Sequence, residues 1–211
     1  MFKSLCAVAV LFAMFLAPVV GARKLDSVQA IQSNGQTFCT AFSINEKHGY
    51  FASAGHCAFA ILENDMNEVT ILGTPATIER ISPVYDVAVF KSDVHIPALK
   101  LAKKSVKVCN VKKAKRCEVI AIQGFPYGLP KLVTVTGHVA GLQIPINHPT
   151  YNTVMYSDVL DITTAGGNSG SPVTNAHGEV IGILWGGFRG SNHSLSIPLE
   201  SIRQALQGYL E

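Results

Sequence analysis

The stretch Gly166-Gly167-Asn168-Ser169-Gly170-Ser171-Pro172 is the part of the chain whose reading decides the fold. Paired glycines before a serine let the backbone turn tightly, and N–H groups in such a turn can converge on a developing oxyanion. Alone, the string reads equally well as an ordinary Gly/Asn/Ser hairpin turn. A serine hydroxyl is a weak nucleophile without a base, and the base needs a partner that fixes its tautomer. Two upstream strings supply those residue types at the edge of apolar runs: Ser53-Ala54-Gly55-His56-Cys57 and Tyr85-Asp86-Val87-Ala88-Val89-Phe90. His56 is the candidate base, Asp86 its orienting carboxylate and Ser169 the candidate nucleophile, with the N–H groups of Gly167 and Ser169 as oxyanion donors.

Outward from these strings the chain is a series of short β-branched and aromatic runs punctuated by Gly, Pro, Asn and Asp, which predicts an all-β sandwich or barrel. Candidate strands are 37–44, 50–53, 68–72, 77–81 and 87–90 in one half, and 118–123, 132–139, 153–157, 178–185 and 194–197 in the other. Pro198 can open a helix, and Leu199, Ile202, Leu206 and Leu210 recur at spacings of three and four. One amphipathic helix over 199–210 is therefore expected against a barrel. The 211 residues, 48% hydrophobic and 15% charged, describe a globular chain.

The formal net charge of +3 is too small to argue for a nucleic-acid partner. Positive charge does collect at Lys100, Lys103, Lys104, Lys107, Lys112, Lys113, Lys115 and Arg116. No aromatic residue interleaves it for stacking, so it reads as a solvated linker. At the N-terminus, Lys3, an uncharged run over 5–17, Pro18 and small residues before Arg23 read as a secretory signal peptide over 1–22. Membrane association would follow only if that segment stayed on as an anchor. Cys6 falls in this segment, leaving Cys39, Cys57, Cys109 and Cys117 with three possible pairings. Disulfides are the expectation for an exported chain, and proximity favours Cys39 with Cys57 and Cys109 with Cys117. A metal site is not expected, because neither a CxxC pair nor an HExxH string occurs.

Chain order discriminates among folds that could host these residues. An α/β-hydrolase runs Ser, acid, His and wants GxSxG with alternating βα elements, whereas position 171 is Ser. The order His56, Asp86, Ser169 is that of the chymotrypsin-like double barrel, with the site in the cleft between barrels. The sequence resembles the trypsin-like serine peptidases over essentially everything after residue 22. Within them it is similar to the bacterial-type branch of glutamyl endopeptidases and HtrA-type proteases. Gly55-His56-Cys57, Asp86-Val87-Ala88-Val89, Gly124-Phe125-Pro126-Tyr127-Gly128 with Val135-Thr136-Gly137, Gly167-Asn168-Ser169-Gly170-Ser171-Pro172, Val180-Ile181-Gly182-Ile183 and Ile197-Pro198 carry the resemblance.

The resemblance implies a double six-stranded β-barrel with a C-terminal helix: residues 23–211 as one peptidase domain, the first barrel over about 30–100, the second over about 117–198. It implies a secreted, monomeric serine endopeptidase acting on protein or peptide substrates, with no cofactor. The alternative is a catalytically inactive peptidase fold used as a binding module. It also supports the Cys39 to Cys57 pairing. Substrate-pocket residues carried over are Thr163 at the floor, Thr164, Leu184, Trp185, Gly186 and Gly187. Thr164 matches a pocket threonine of glutamyl endopeptidases, but Leu184 stands where those enzymes place a His before Trp-Gly-Gly. With no Asp at the floor either, a small or medium uncharged side chain is the expected preference. Whether part of 23–36 is a propeptide is left open by the sequence.

Overall fold

The structure is a computed structural model that describes residues 27–109 and 117–210. The expected leader over 1–22 lies outside those residues. Six strands, β1 (Val28–Ser33), β2 (Gln36–Asn45), β3 (Tyr50–Ala54), β4 (Val69–Ile71), β5 (Thr74–Ser82) and β6 (Val87–Ser92), close in the order β1-β2-β3-β6-β5-β4. Six more, β7 (Ile120–Gly124), β8 (Val133–His148), β9 (Thr153–Asp161), β10 (Pro172–Thr174), β11 (Val180–Gly187) and β12 (His193–Pro198), close in the order β10-β11-β12-β9-β8-β7. Closing each sheet on itself leaves no unpaired edge. This is the double six-stranded barrel implied by the sequence.

The strand patterns explain the architecture. β5 alternates between half-buried and exposed positions, as a strand with one solvated face should. β6 instead reads Val-Ala-Val-Phe and buries all four, one face filling the first barrel and the other covered by α1 (Gly55–Glu63). Phe42, Phe51, Phe90, Ile31 and Ile71 fill the first barrel, while Ile120, Ile122, Val173 and Leu160 fill the second. Between the barrels, Lys103, Lys104 and Lys107 are exposed while Ala102 and Val106 are buried. The backbone there is tied to the second barrel through Ala102 N–H to Val180 C=O at 2.9 Å and Cys109 N–H to Val139 C=O at 2.8 Å. Disulfides join Cys39 to Cys57 and Cys109 to Cys117.

Four features depart from the sequence expectation. β1, over a stretch with no candidate strand, pairs with β2 and β4 in the first barrel, with Ile31 wholly buried. β10 is a three-residue strand that begins at Pro172, the last residue of the glycine-rich string. Helix α1 follows β3 in a stretch for which no element was expected. The C-terminal helix α2 spans Leu199–Ala205, not 199–210. Beyond it Leu206 N–H still reaches Ile202 C=O, but Gly208 at φ +89° takes the chain out of helical space.

Candidate active site

Asp86 sits at φ +52° immediately before β6, a left-handed conformation that aspartate tolerates better than most side chains. There its backbone C=O accepts the Gly55 N–H at 2.7 Å and its Oδ1 accepts the His56 N–H at 2.6 Å. These two N–H groups open α1 and have no intrahelical acceptor, so Asp86 caps the helix from 30 residues away. The same cap delivers the imidazole: His56 Nδ1–H donates to Asp86 Oδ2 at 2.9 Å. The tautomer is thereby fixed, leaving the Nε2 lone pair for a proton from outside the pair. Asp86 is fully buried while the His56 side chain keeps 22% of its surface exposed, which suits a proton acceptor facing a cleft.

The long β8–β9 hairpin brings two further donors that the sequence reading did not single out. Tyr151 O–H donates to Asp86 Oδ1 at 2.8 Å, and His148 Nε2–H donates to Asp86 Oδ2 at 3.3 Å. His148 Nδ1 is buried without a partner, which places the ring proton on Nε2. Burial would raise the Asp86 carboxyl, but the bonds from His148 and His56, with the charge those rings can carry, outweigh it and hold the group at about 2. Burial first, then the neighbouring Asp86 charge, pushes the Tyr151 phenol well above its ordinary value, so it remains a donor.

Ser169 is held from the first barrel. Its C=O accepts the Thr40 N–H at 2.8 Å and lies 3.8 Å from Cys57 Sγ, a van der Waals contact because that sulfur is in a disulfide. Thr40 is a hub: its buried hydroxyl donates to Gly167 C=O at 2.8 Å and accepts the Phe125 N–H at 3.2 Å, and its C=O accepts from Ser53 Oγ at 2.7 Å. Gly166 C=O is turned toward the Tyr127 N–H at 2.6 Å, and Asn168 C=O toward the Ser171 N–H at 2.9 Å. In a trans peptide C=O and N–H point oppositely, so these anchors aim the N–H groups of Gly167 and Ser169 away from those partners. Gly167, at φ +92°, has no room for a side chain, since a Cβ would lie 2.3 Å from Phe125 C=O.

A pocket of about 440 Å³ opens beside Ser169 and includes Thr164, Leu184, Gly186, Gly187, Arg189 and His193 in its wall. Thr164 Oγ1 is 2.8 Å from Ser194 Oγ, whose proton goes to Ile162 C=O at 2.6 Å, so the Thr164 hydroxyl is the donor of the pair. No carboxylate lines this pocket, while Arg189 and His193 bring basic groups to its outer wall. Two expected residues are placed elsewhere. Thr163 is exposed and lines no part of the pocket, because an extended chain turns it opposite to buried Ile162. Trp185 donates to Ser157 Oγ at 3.0 Å and lines a second hollow with His56, His148, Pro149 and Phe188.

Two closed antiparallel barrels with a helix-capped His–Asp pair between them define the class: the chymotrypsin-fold proteases. A model of the trypsin-like peptidase domain matches residues 39–183, and the chain belongs to that family. Over 83 residues it is 34% identical to a glutamyl endopeptidase of Staphylococcus aureus, a match covering 37% of this chain and 25% of that protein. The matched region is thus a quarter of the length of that curated relative. The active form of the Rv3671c protease from M. tuberculosis superposes with a TM-score of 0.73 at 19% identity, covering 94% of this chain and 93% of that one. The HtrA-type protease AlgW with a decapeptide gives 0.67 at 18% identity, covering 88% and 65%. At such identities the likeness is one of fold.

Proposed function

We propose that the chain is an exported serine endopeptidase that forms an acyl-enzyme through Ser169 and cleaves after acidic residues. The single observation that carries the chemistry is the His56–Asp86 pair, with Nδ1 bonded and Nε2 left free, beside a serine loop whose carbonyls are turned away from the oxyanion position. The reading adds one contact to those described, Ser169 Oγ to His56 Nε2. Ser169 Oγ attacks the scissile carbonyl carbon as its proton passes to His56 Nε2, and the resulting oxyanion is held by the N–H groups of Gly167 and Ser169. The C–N bond then breaks as His56 Nε2–H protonates the leaving amine. Water, deprotonated by the same nitrogen, hydrolyses the Ser169 ester.

Preference for an acidic side chain rests on the pocket. Its wall presents the Thr164 hydroxyl, Arg189 and His193 and no carboxylate, a set that matches an anion better than the uncharged group expected from Leu184. His193 reaches the pocket from the start of β12, beside the β11 strand that carries Leu184. The name of the staphylococcal relative fits the same preference. Export is supported by the leader-like sequence over 1–22 and by two disulfides, which persist in oxidising compartments.

The test is intact mass after exposure to a fluorophosphonate. A single adduct on Ser169, absent in His56→Ala and in Ser169→Ala, is the expected result. No adduct on folded, oxidised protein would refute the activated serine and leave the fold as a binding module. With peptide substrates, Glu at the cleaved position should exceed Gln in kcat/KM by about tenfold or more, and His193→Leu with Arg189→Leu should erase that ratio. An unchanged ratio in that double variant would refute the pocket assignment.

A further inference from the structure

Asp86 uses every acceptor position it has. A carboxylate offers about four lone-pair sites. Oδ1 takes the His56 backbone N–H at 2.6 Å and the Tyr151 hydroxyl at 2.8 Å, while Oδ2 takes His56 Nδ1–H at 2.9 Å and His148 Nε2–H at 3.3 Å. Two of the four donors come from the first barrel and two from the tip of the β8–β9 hairpin of the second. The tip is built to stay there. His148 is 2% exposed, stacks on Tyr151 with ring centroids 4.6 Å apart and packs against Trp185 at 4.6 Å. Tyr151 meets Phe59 of α1 edge-on at 5.1 Å.

Gly55 makes room for this docking. A Cβ there would lie 2.8 Å from the Tyr151 hydroxyl and 3.0 Å from Asp86 Oδ1, although the backbone at this residue is not in the left-handed region. The Asp86 backbone carbon would lie 3.0 Å away as well, so the glycine before His56 makes room both for the hairpin tip and for the carboxylate residue that caps the helix.

We infer that His148 and Tyr151 are positioning residues that set the basicity of His56 by sharing the charge of Asp86. A carboxylate whose negative charge is divided among four donors stabilises the His56 imidazolium less than one with two, so removing either hairpin donor should strengthen His56 as a base. The groups facing His148 are Asp86, His56, Tyr151 and Trp185, and only the first three titrate. Both hydrogen bonds must be present for the full effect. The inference rests on the triad reading, because only a general base gives His56 basicity a catalytic meaning.

The experiment is an NMR titration of 15N-histidine-labelled protein in the Ser169→Ala background, comparing Tyr151→Phe, His148→Leu, His148→Gln and Gly55→Ala. The His56 midpoint should rise by about half a pH unit or more in Tyr151→Phe and in His148→Leu. His148→Gln, which keeps an N–H donor at that position, should bring it back toward the parent. Gly55→Ala should raise it too, its methyl pressing on the Tyr151 hydroxyl and on Asp86 together. In the Ser169 enzyme, the acid limb of kcat/KM should move in the same direction. A midpoint unchanged in folded Tyr151→Phe overturns the inference and reduces the hairpin tip to packing. Should His148→Leu fail to fold, Tyr151→Phe decides alone, since it removes one oxygen. The titration needs no turnover, so failure of the peptidase reading appears as an absent Ser169 adduct and failure of this inference as an unmoved midpoint.

Discussion

Thr40→Val isolates the contribution of the hub that holds the serine loop to the first barrel. Valine keeps the shape of threonine and removes only its hydroxyl, which is wholly buried. Two groups lose a partner: the Phe125 N–H, 3.2 Å from Oγ1, and the Gly167 C=O, 2.8 Å from it. A buried group left unpaired costs about 1–3 kcal/mol, so the variant should be less stable by roughly 2–4 kcal/mol, read as a lower urea midpoint at unchanged m. The catalytic effect should be separate. Gly166 C=O and Asn168 C=O keep their own anchors, so both oxyanion donors survive, but the peptide between them loses the shorter of its two anchors and keeps only Asn168 N–H to Ala165 C=O at 3.1 Å. Loss of a whole donor costs about 10²- to 10³-fold, so loosening this peptide should slow fluorophosphonate acylation by about 10- to 100-fold. Thr40→Ser keeps both hydrogen bonds and should acylate at the parent rate, with about 1 kcal/mol lost for the missing methyl. Parent-rate acylation by a destabilised Thr40→Val would refute the argument, because the loop would then hold its own geometry.

The two disulfides should divide along similar lines. Chain-entropy estimates give about 3 kcal/mol for the 18-residue Cys39–Cys57 separation and about 2.5 for the 8-residue Cys109–Cys117 separation. Replacing either pair by Ala should lower the urea midpoint, but only loss of Cys39–Cys57, which touches Ser169 C=O and adjoins His56, should slow acylation. Asp158 gives a pH test. Burial raises its carboxyl to about 6, against a single opposing bond from the Gln143 N–H, so the native state favours the protonated form. Stability from this group falls as pH rises from the ordinary carboxylate range through 6. Asp158→Asn, which retains an acceptor for Gln143, should stabilise by about 2–3 kcal/mol near pH 7 and by little near pH 4, measured by thermal unfolding at both.

The two barrels were legible in the sequence because their strands alternate or run apolar in short punctuated segments, and ten of the twelve were located, eight of them to within a few residues at both ends and β8 and β9 extending beyond 139 and 157. α1 was not, because its cap is not local: Ala54 precedes it with no side-chain cap, and the acceptors belong to Asp86. Within Tyr-Phe-Ala-Ser-Ala-Gly-His-Cys-Ala-Phe-Ala no residue marks where strand becomes helix. β10 was hidden because it starts at the last residue of a string whose glycines advertise a turn. Among site residues, Thr40, His148 and Tyr151 carry no motif, since each acts across 62 to 127 residues of sequence through a contact that only the docked barrels create. For His148 the remaining signal was His148-Pro149-Thr150-Tyr151, polar and aromatic groups at the turn of a hairpin longer than its barrel needs.

Asp86 therefore closes three structures at once: the start of α1, the His56 tautomer and the docking of the β8–β9 hairpin. Asp86→Asn separates them. The Asn Oδ1 can still accept the His56 N–H and the Tyr151 hydroxyl, so the helix cap and one arm of the clamp survive. Its Nδ2 would point two hydrogens at the N–H groups of His56 and His148, which Oδ2 now accepts. The His56 ring relieves that clash by moving its proton to Nε2, where it can no longer take one from Ser169. Acylation should fall about 10⁴-fold while the fold remains. Stability changes with a definite sign. The parent carboxyl, held near 2, contributes about 2 kcal/mol above the ordinary carboxylate pKa and loses it as pH falls toward 2. The Asn variant lacks that contribution at pH 7, and its acid unfolding below pH 4 should be shallower by the same amount. Acylation within tenfold of the parent would show that the His56 tautomer is set by something other than Asp86, and the role given to the whole four-donor arrangement would fall with it.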